Sequence, residues 1–245
     1  MESGRYSGSV LVAVPTHERE ALVRHCLATA AEMELPAQSE IMVFDDASAN
    51  LDVAALMESE ALAPRLHVNP TRIGATGTTV SIWRHFLGSG HEHLLILDSD
   101  MIANRTAVMD GLRLREKFEG LVTLYNSRLH PGVPIAEDTI VKWTVGNAGT
   151  FWTKALAELV LEAFGDAKVV NVDDAYSRLL KRRHIAIVSP TRSRLQHLGT
   201  VGMNNRYFGQ LEHGLNFRPD SERQMLAIAA AYDDLMSRQD FYAPR

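Results

Sequence analysis

Four times in the first half of the chain, a short aliphatic run is followed by a stretch of helical periodicity. SVLVAV (9–14) precedes 18–33, and EIMVFD (40–45) precedes 53–60. RLHV (65–68) precedes 76–88, and HLLILD (93–98) precedes 104–118. Aliphatic strands separated by amphipathic helices cannot close as neighbouring hairpins. They need crossovers, so the pattern predicts βαβ units around a buried, mostly parallel sheet flanked by helices. In such sheets ligands sit beyond the carboxyl ends of the strands. Three polar clusters follow strands directly: Pro15-Thr16-His17, Asp45-Asp46 and Asp98-Ser99-Asp100. All three are therefore expected to face one crevice.

Beyond residue 120 the alternation loosens. LVTLYNS (121–127) is another expected strand, RLHPGVPIAED reads as a loop containing Pro and Gly, and TIVKWTVGNAGTFW (139–152) mixes strand and turn signals. Helices are expected at about 153–164, 173–183 and 220–238, with a strand at 184–189. With no internal repeat and no linker, 245 residues fit one domain, a ligand-binding half over about 1–120 and a more irregular half over about 121–245.

The net charge of -5 argues against a nucleic-acid partner, since such proteins present a basic face. The basic patch Lys181-Arg182-Arg183-His184 closes an expected helix, where cations complement the helix dipole. One cysteine, Cys26, excludes an intramolecular disulfide and reads as a small buried residue. No secretory signal and no apolar run of membrane-spanning length is visible, so the protein is expected to be cytoplasmic, without an integral membrane segment.

Two aspartates at one strand end repel each other unless one is protonated or a cation is shared. Behind LLIL, Asp98 and Asp100 suit a divalent ion such as Mg2+ or Mn2+, which prefers carboxylate oxygen and is often shared with substrate phosphates. The plainer alternative makes one of them a helix cap. Asp45 and Asp46, with Ser48 and Asn50 beyond, suit a turn or cap as well as a base contact. Asp173 and Asp174 open a helix, where acids complement the dipole, and a carboxylate at such a junction also suits general-base work. His197, in RLQHLG, is either a packed residue or a metal ligand if the tail folds back across the site.

Taken in order, these segments resemble the GT-A glycosyltransferases, family 2 most closely. VLVAVPTHERE is similar to the opening strand and turn, IMVFDDASAN to the strand-Asp-Asp-x-Ser segment, and LLILDSDM to the Asp-x-Asp signature. VGNAGTFWTKALAEL is similar to the Gly-rich acceptor-side segment, VDDAYSRLLKRRH to the acidic motif, and QHLG to a downstream His-Gly. The resemblance implies that Pro15, Thr16 and Asp46 contact the nucleoside. It puts Asp98 near the ribose and metal, with Ser99 beside it, Asp100 on the cation and His197 completing the metal shell. Asp174 becomes the general base, with Asp173 the second choice. Three departures stand out: Glu18 replaces a common Asn, Asp173-Asp174 replaces the commoner Glu-Asp, and RIGATGTTVSIW keeps the glycine but lacks the usual arginine two-thirds of the way along, leaving Arg72 to cover that phosphate or base contact.

The implied activity is metal-dependent, inverting transfer from a nucleotide sugar, UDP-sugar favoured, to a cytosolic peptide, small metabolite or natural-product aglycone. Trp143, Phe151 and Trp152 flank the Gly-rich segment and suit either stacking on a ligand or core packing. Three rivals remain. A haloacid dehalogenase-type phosphatase would use Asp98 as nucleophile and Asp100 as acid/base, although that signature normally opens its domain. A sugar nucleotidyltransferase needs a Gly-rich loop after the first strand, and VPTHERE has no glycine. The third is a nucleotide-sugar-binding protein without activity.

Overall fold

The computed structural model describes residues 8–165, 169–199 and 212–237. In chain order the first half consists of β1 (Val10–Thr16), α1 (Glu20–Ala30), β2 (Glu40–Asp45), α2 (Val53–Ser59), β3 (Leu66–Val68), α3 (Gly74–Gly88) and β4 (His93–Ile96). There follow β5 (Met101–Ala103), α4 (Ala107–Lys117), β6 (Leu121–Thr123), β7 (Gly132–Ala136), β8 (Thr139–Lys142) and β9 (Thr150–Thr153). The chain continues through α5 (Lys154–Phe164), α6 (Val172–Arg182), β10 (Ile187–Pro190), β11 (Leu195–His197) and α7 (Glu222–Ser237).

Nine strands form one sheet in the order β3-β2-β1-β4-β9-β6-β10-β8-β7. β3, β2, β1 and β4 are mutually parallel, and the pairings place β6, β10 and β7 in the same direction, so only β9 and β8 run the other way. The mostly parallel α/β expectation holds. β1 and β4 carry fully buried aliphatic residues on both faces, as a sheet covered by helices on each side requires. One face packs Val10, Val12, Val14, Leu95 and Leu97 with α1, α2 and α4. The other packs Leu11, Ala13, Leu94 and Ile96 with α3, α5 and α6 around Trp83, Trp152 and Tyr176, whose rings meet edge to face at 4.8–6.0 Å.

Three short strands go beyond the sequence expectation. β7 lies inside the segment read as a loop. It is an edge strand whose register is irregular between Pro134 and Ala136, and edges and bulges are where a sheet tolerates proline. β5 and β11 pair antiparallel in a separate two-stranded ladder, with His197 opposite Met101. This ladder carries the C-terminal segment across the end of β4. Among the described residues no helix is long and apolar enough to cross a membrane.

Candidate active site

Because β1, β2, β3 and β4 are parallel, their carboxyl ends share one edge of the sheet, and the three polar clusters converge there as expected. β9 starts at the same edge: Thr150 pairs with Ile96, and Gly149 N donates to Ile96 O at 2.8 Å. The Gly-rich segment 146–149 thus joins the rim. Gly149 has φ +73 and fits against Leu195 and the Tyr125 backbone, where a side chain would collide.

At the end of β1, Pro15 is half-buried and Thr16 is buried with its Oγ1 lacking a hydrogen-bond partner. A buried hydroxyl left unpaired costs roughly 1–3 kcal/mol. The carboxylate of Asp46 is fully committed. Oδ1 accepts from Asn69 Nδ2 at 3.0 Å and Ile73 N at 2.8 Å, and Oδ2 accepts from Gly74 N at 2.7 Å. Asp46 thereby holds the loop 69–74, on which exposed Arg72 sits, and the start of α3. Asp45 instead lines an open groove of about 520 Å³ with residues 48–54, Leu66 and Val68. Its oxygens accept from Ser48 N and Oγ.

The β4 end divides its two acids sharply. Asp100 Oδ2 accepts from Arg19 Nη1 at 2.9 Å and lies 3.5 Å from His197 Nε2. Burial alone would raise the Asp100 carboxyl, but the charges and hydrogen bonds of His197 and Arg19 outweigh it and hold it well below the usual carboxylate range. The same pairing raises His197 against the lowering effect of its own burial. Asp98 forms no ion pair among the described residues: burial, then the Asp100 charge, push it up to about 7 against the weaker opposing charges of His197 and Arg19. Ser99 between them is buried.

Asp100 and His197 are the residues here that would hold a cation: His197 Nε2 stands 3.5 Å from Asp100 Oδ2, and at Gly199, where a Cβ would stand 2.9 Å from both Asp100 Oδ2 and His197 Cε1, no side chain fills the approach. Among the described residues His197 Nδ1, on the far side of the ring, is buried with no hydrogen-bond partner. One carboxylate oxygen and one imidazole nitrogen suit Mn2+ or Mg2+ with further oxygens from a ligand. Among the described residues no three His, Cys, Asp or Glu side chains stand together as a complete metal cluster.

Across the crevice, α6 separates Asp173 from Asp174. Asp174 is 45% exposed and forms an ion pair with Arg178 one turn along the helix. Asp173 turns inward. Its Oδ2 and His130 Nε2 lie 4.0 and 3.5 Å from where a Cβ on Gly146 would be. Burial raises the Asp173 carboxyl and outweighs the backbone amides that stabilise its charge, and its negative charge helps raise Asp98. Of the two acids, Asp173 is thus the one turned toward the crevice, whereas Asp174 is half-exposed and paired with Arg178.

His130 escaped the sequence reading. Its Nδ1 sits 3.1 Å from Thr144 Oγ1, and burial, then the Lys142 charge, lower its pKa. Nothing in RLHPG signals this position, since a long loop and β8 bring the residue to Asp173. Of the three flanking aromatics, Phe151 and Trp152 are fully buried core residues, whereas Trp143 is 52% exposed.

The parallel block ending in an Asp-x-Asp, the mixed strands after it and the ladder returning across the site define a fold of the GT-A glycosyltransferase type. The mannosyltransferase PcManGT from Pyrobaculum calidifontis, in complex with GDP-Man and Mn2+, is similar to it with a TM-score of 0.56 and 18% identity, over 76% of this chain and 55% of that one. TarS 1-349 from S. aureus in complex with UDP-GlcNAc is similar with a TM-score of 0.59 and 16% identity, over 96% and 74% of the two chains. The same TarS piece with UDP gives 0.54 and 17%, over 76% and 59%. The chain thus spans little more than half of the mannosyltransferase. No family model and no curated protein matches it by sequence.

Proposed function

We propose that the chain is an inverting glycosyltransferase that moves a sugar from a nucleoside-diphosphate sugar, UDP-sugar favoured, to a hydroxyl or amine of a small or peptidic acceptor. One observation carries the reading: on a fold of this type, two inward-facing carboxyls of raised pKa, Asp98 and Asp173, share a crevice with the Asp100–His197 pair. Solved proteins of similar fold hold GDP-Man with Mn2+, UDP or UDP-GlcNAc, which supports the donor class.

In this mechanism the nucleoside lies over the ends of β1 and β2, against Pro15 and the unpaired Thr16 hydroxyl, with Asp45 on the groove wall. Asp46 acts indirectly, by fixing the loop that presents Arg72. Asp98 and Ser99 face the ribose side. Asp100 and His197 would hold Mn2+ or Mg2+, which when bound offsets the negative charge that grows on the leaving diphosphate. The acceptor enters from the α6 side, where Asp173 takes its proton as it attacks the anomeric carbon. A carboxyl raised by burial is a better base near neutrality than an ordinary aspartate. His130 beside Asp173 orients the acceptor or the carboxylate. Trp143, open to solvent, is the aromatic surface left for an acceptor ring.

The test is a thermal-shift panel of UDP-, GDP- and dTDP-sugars with Mn2+. A true donor at 100 times its Kd stabilises the native state by about 2.7 kcal/mol. For a chain of this size that is a rise of roughly 5–10 °C. A flat response to every nucleotide sugar would remove the donor reading.

A further inference from the structure

Arg19 stands where a helix cap should be, and it does not cap. It occupies the N-cap position of α1 without a side-chain hydrogen bond to the helix, a place that Ser, Thr, Asp or Asn normally fill. Both Glu18 and Arg19 have left-handed backbones, with φ of 53 and 62. Neither is glycine, so the conformation persists only because its surroundings enforce it.

Those surroundings are visible. His17 Nδ1 lies 2.9 Å from Asp46 O, and Glu18 N donates to Ser48 Oγ at 2.8 Å. Glu18 Oε1 accepts from Ala49 N at 2.6 Å and Asn50 N at 3.4 Å. The loop after β1 is thereby pinned to the loop after β2. The one side chain left to project from this turn is Arg19, whose guanidinium reaches 81 positions along the sequence to Asp100 Oδ2. That is the same oxygen His197 approaches.

Resting on the donor reading above, we propose that Arg19 is a built-in counter-ion for Asp100, one that competes with a divalent cation in the free protein and yields the carboxylate when a nucleoside diphosphate arrives. The argument is one of charge and space. A cation on Asp100 Oδ2 and a guanidinium donating to that oxygen repel each other, so both cannot be held there closely. A diphosphate brings new negative charge into the crevice, and a guanidinium matches phosphate oxygens with a two-pronged geometry. Arg19 is 39% exposed, so its head can swing while its backbone stays fixed. Metal and nucleotide are then coupled: each makes room for the other, and by linkage the effect is reciprocal.

The prediction concerns the metal alone. Mn2+ binding is followed by loss of the free-ion EPR signal, without any nucleotide, for the native chain, Arg19→Gln and Arg19→Gln/Asp100→Asn. Arg19→Gln should bind Mn2+ at least tenfold more tightly than the native chain. The double variant should fall back to weak binding, which shows that the gained site is Asp100 rather than a new one. Arg19→Lys, which keeps the charge but loses the fork, should lie between. Equal or weaker Mn2+ affinity in Arg19→Gln, or no Mn2+ binding by any of these proteins, overturns the proposal. Nucleoside-diphosphate binding is measured separately by thermal shift. Its absence would end the donor reading, whereas equal Mn2+ affinities beside intact UDP or GDP binding would end the Arg19 reading alone.

Discussion

Two acid pairs face each other across the crevice, and the fold treats them alike in one respect and differently in another. In each pair an arginine takes one carboxylate: Arg19 takes Asp100 and Arg178 takes Asp174. The other member, Asp98 or Asp173, lies further inside, forms no ion pair among the described residues, and has a pKa raised chiefly by burial. The difference lies in how each arginine arrives. Arg178 is one helical turn from Asp174 on a solvated surface, a pairing any helix can make. Arg19 comes from a distant, conformationally constrained turn to a mostly buried carboxylate. The first pair is local decoration, whereas the second exists only because the whole sheet is assembled.

The sharpest break between the two α6 acids is catalytic. Asp173→Asn should lower turnover by about 10²–10⁴-fold with donor binding intact, whereas Asp174→Asn should stay within a few-fold of the native rate. Native turnover should fall on the acid side at a pH above the ordinary aspartate value, because burial raises the Asp173 carboxyl. Equal losses in both variants would erase the distinction drawn here.

Asp98 should matter to stability with the opposite sign from Asp100. Its folded pKa, about 7, exceeds the unfolded value of 3.8, so the folded state holds this proton more firmly. Its contribution is therefore most favourable below about pH 4 and is lost as pH rises towards 7. In chelator, Asp98→Asn should raise the melting temperature at pH 8 by a few degrees, worth about 1–3 kcal/mol, and change little at pH 4. Asp100→Asn should lower it at pH 8, since Arg19 and His197 lose their partner. A pH-independent Asp98→Asn effect would show that the carboxyl is not charged at a cost. The smallest effect is at the surface: Arg178→Ala should cost at most about 0.5 kcal/mol by denaturant unfolding.

Much of this arrangement was legible in the sequence because it is local. EIMVFD forms β2 over the expected residues 40–45, and the helices among the described residues coincide with the expected stretches, with ends shifted by a few residues. The strand-end clusters met at one edge because parallel strands leave no other choice. What escaped was short or non-local. β5 and β11 have three residues each, too few for a period to register, and each gains its meaning only from the other. β7 contains Gly132 and Pro134, which locally spell a loop and which an edge position excuses. That Asp46 anchors a loop was not legible, because its three backbone and amide donors come from 69–74, a loop whose path no spacing rule foretells. The motif likewise could not tell Asp173 from Asp174. Adjacent helix positions point about 100° apart, and only packing decides which of them looks inward.

The ladder of β5 and β11 has a genetic corollary. His197 meets Asp100 because Met101 pairs with His197 and Leu198 N donates to Asp100 O at 2.8 Å. Side chains alternate faces along a strand, so inserting or deleting one codon in either three-residue segment would turn the imidazole to the other side. Met101, Ala103 and Leu195 of the same ladder are buried in the core beneath the nine-stranded sheet, so one register serves both the imidazole's aim and part of the scaffold's packing.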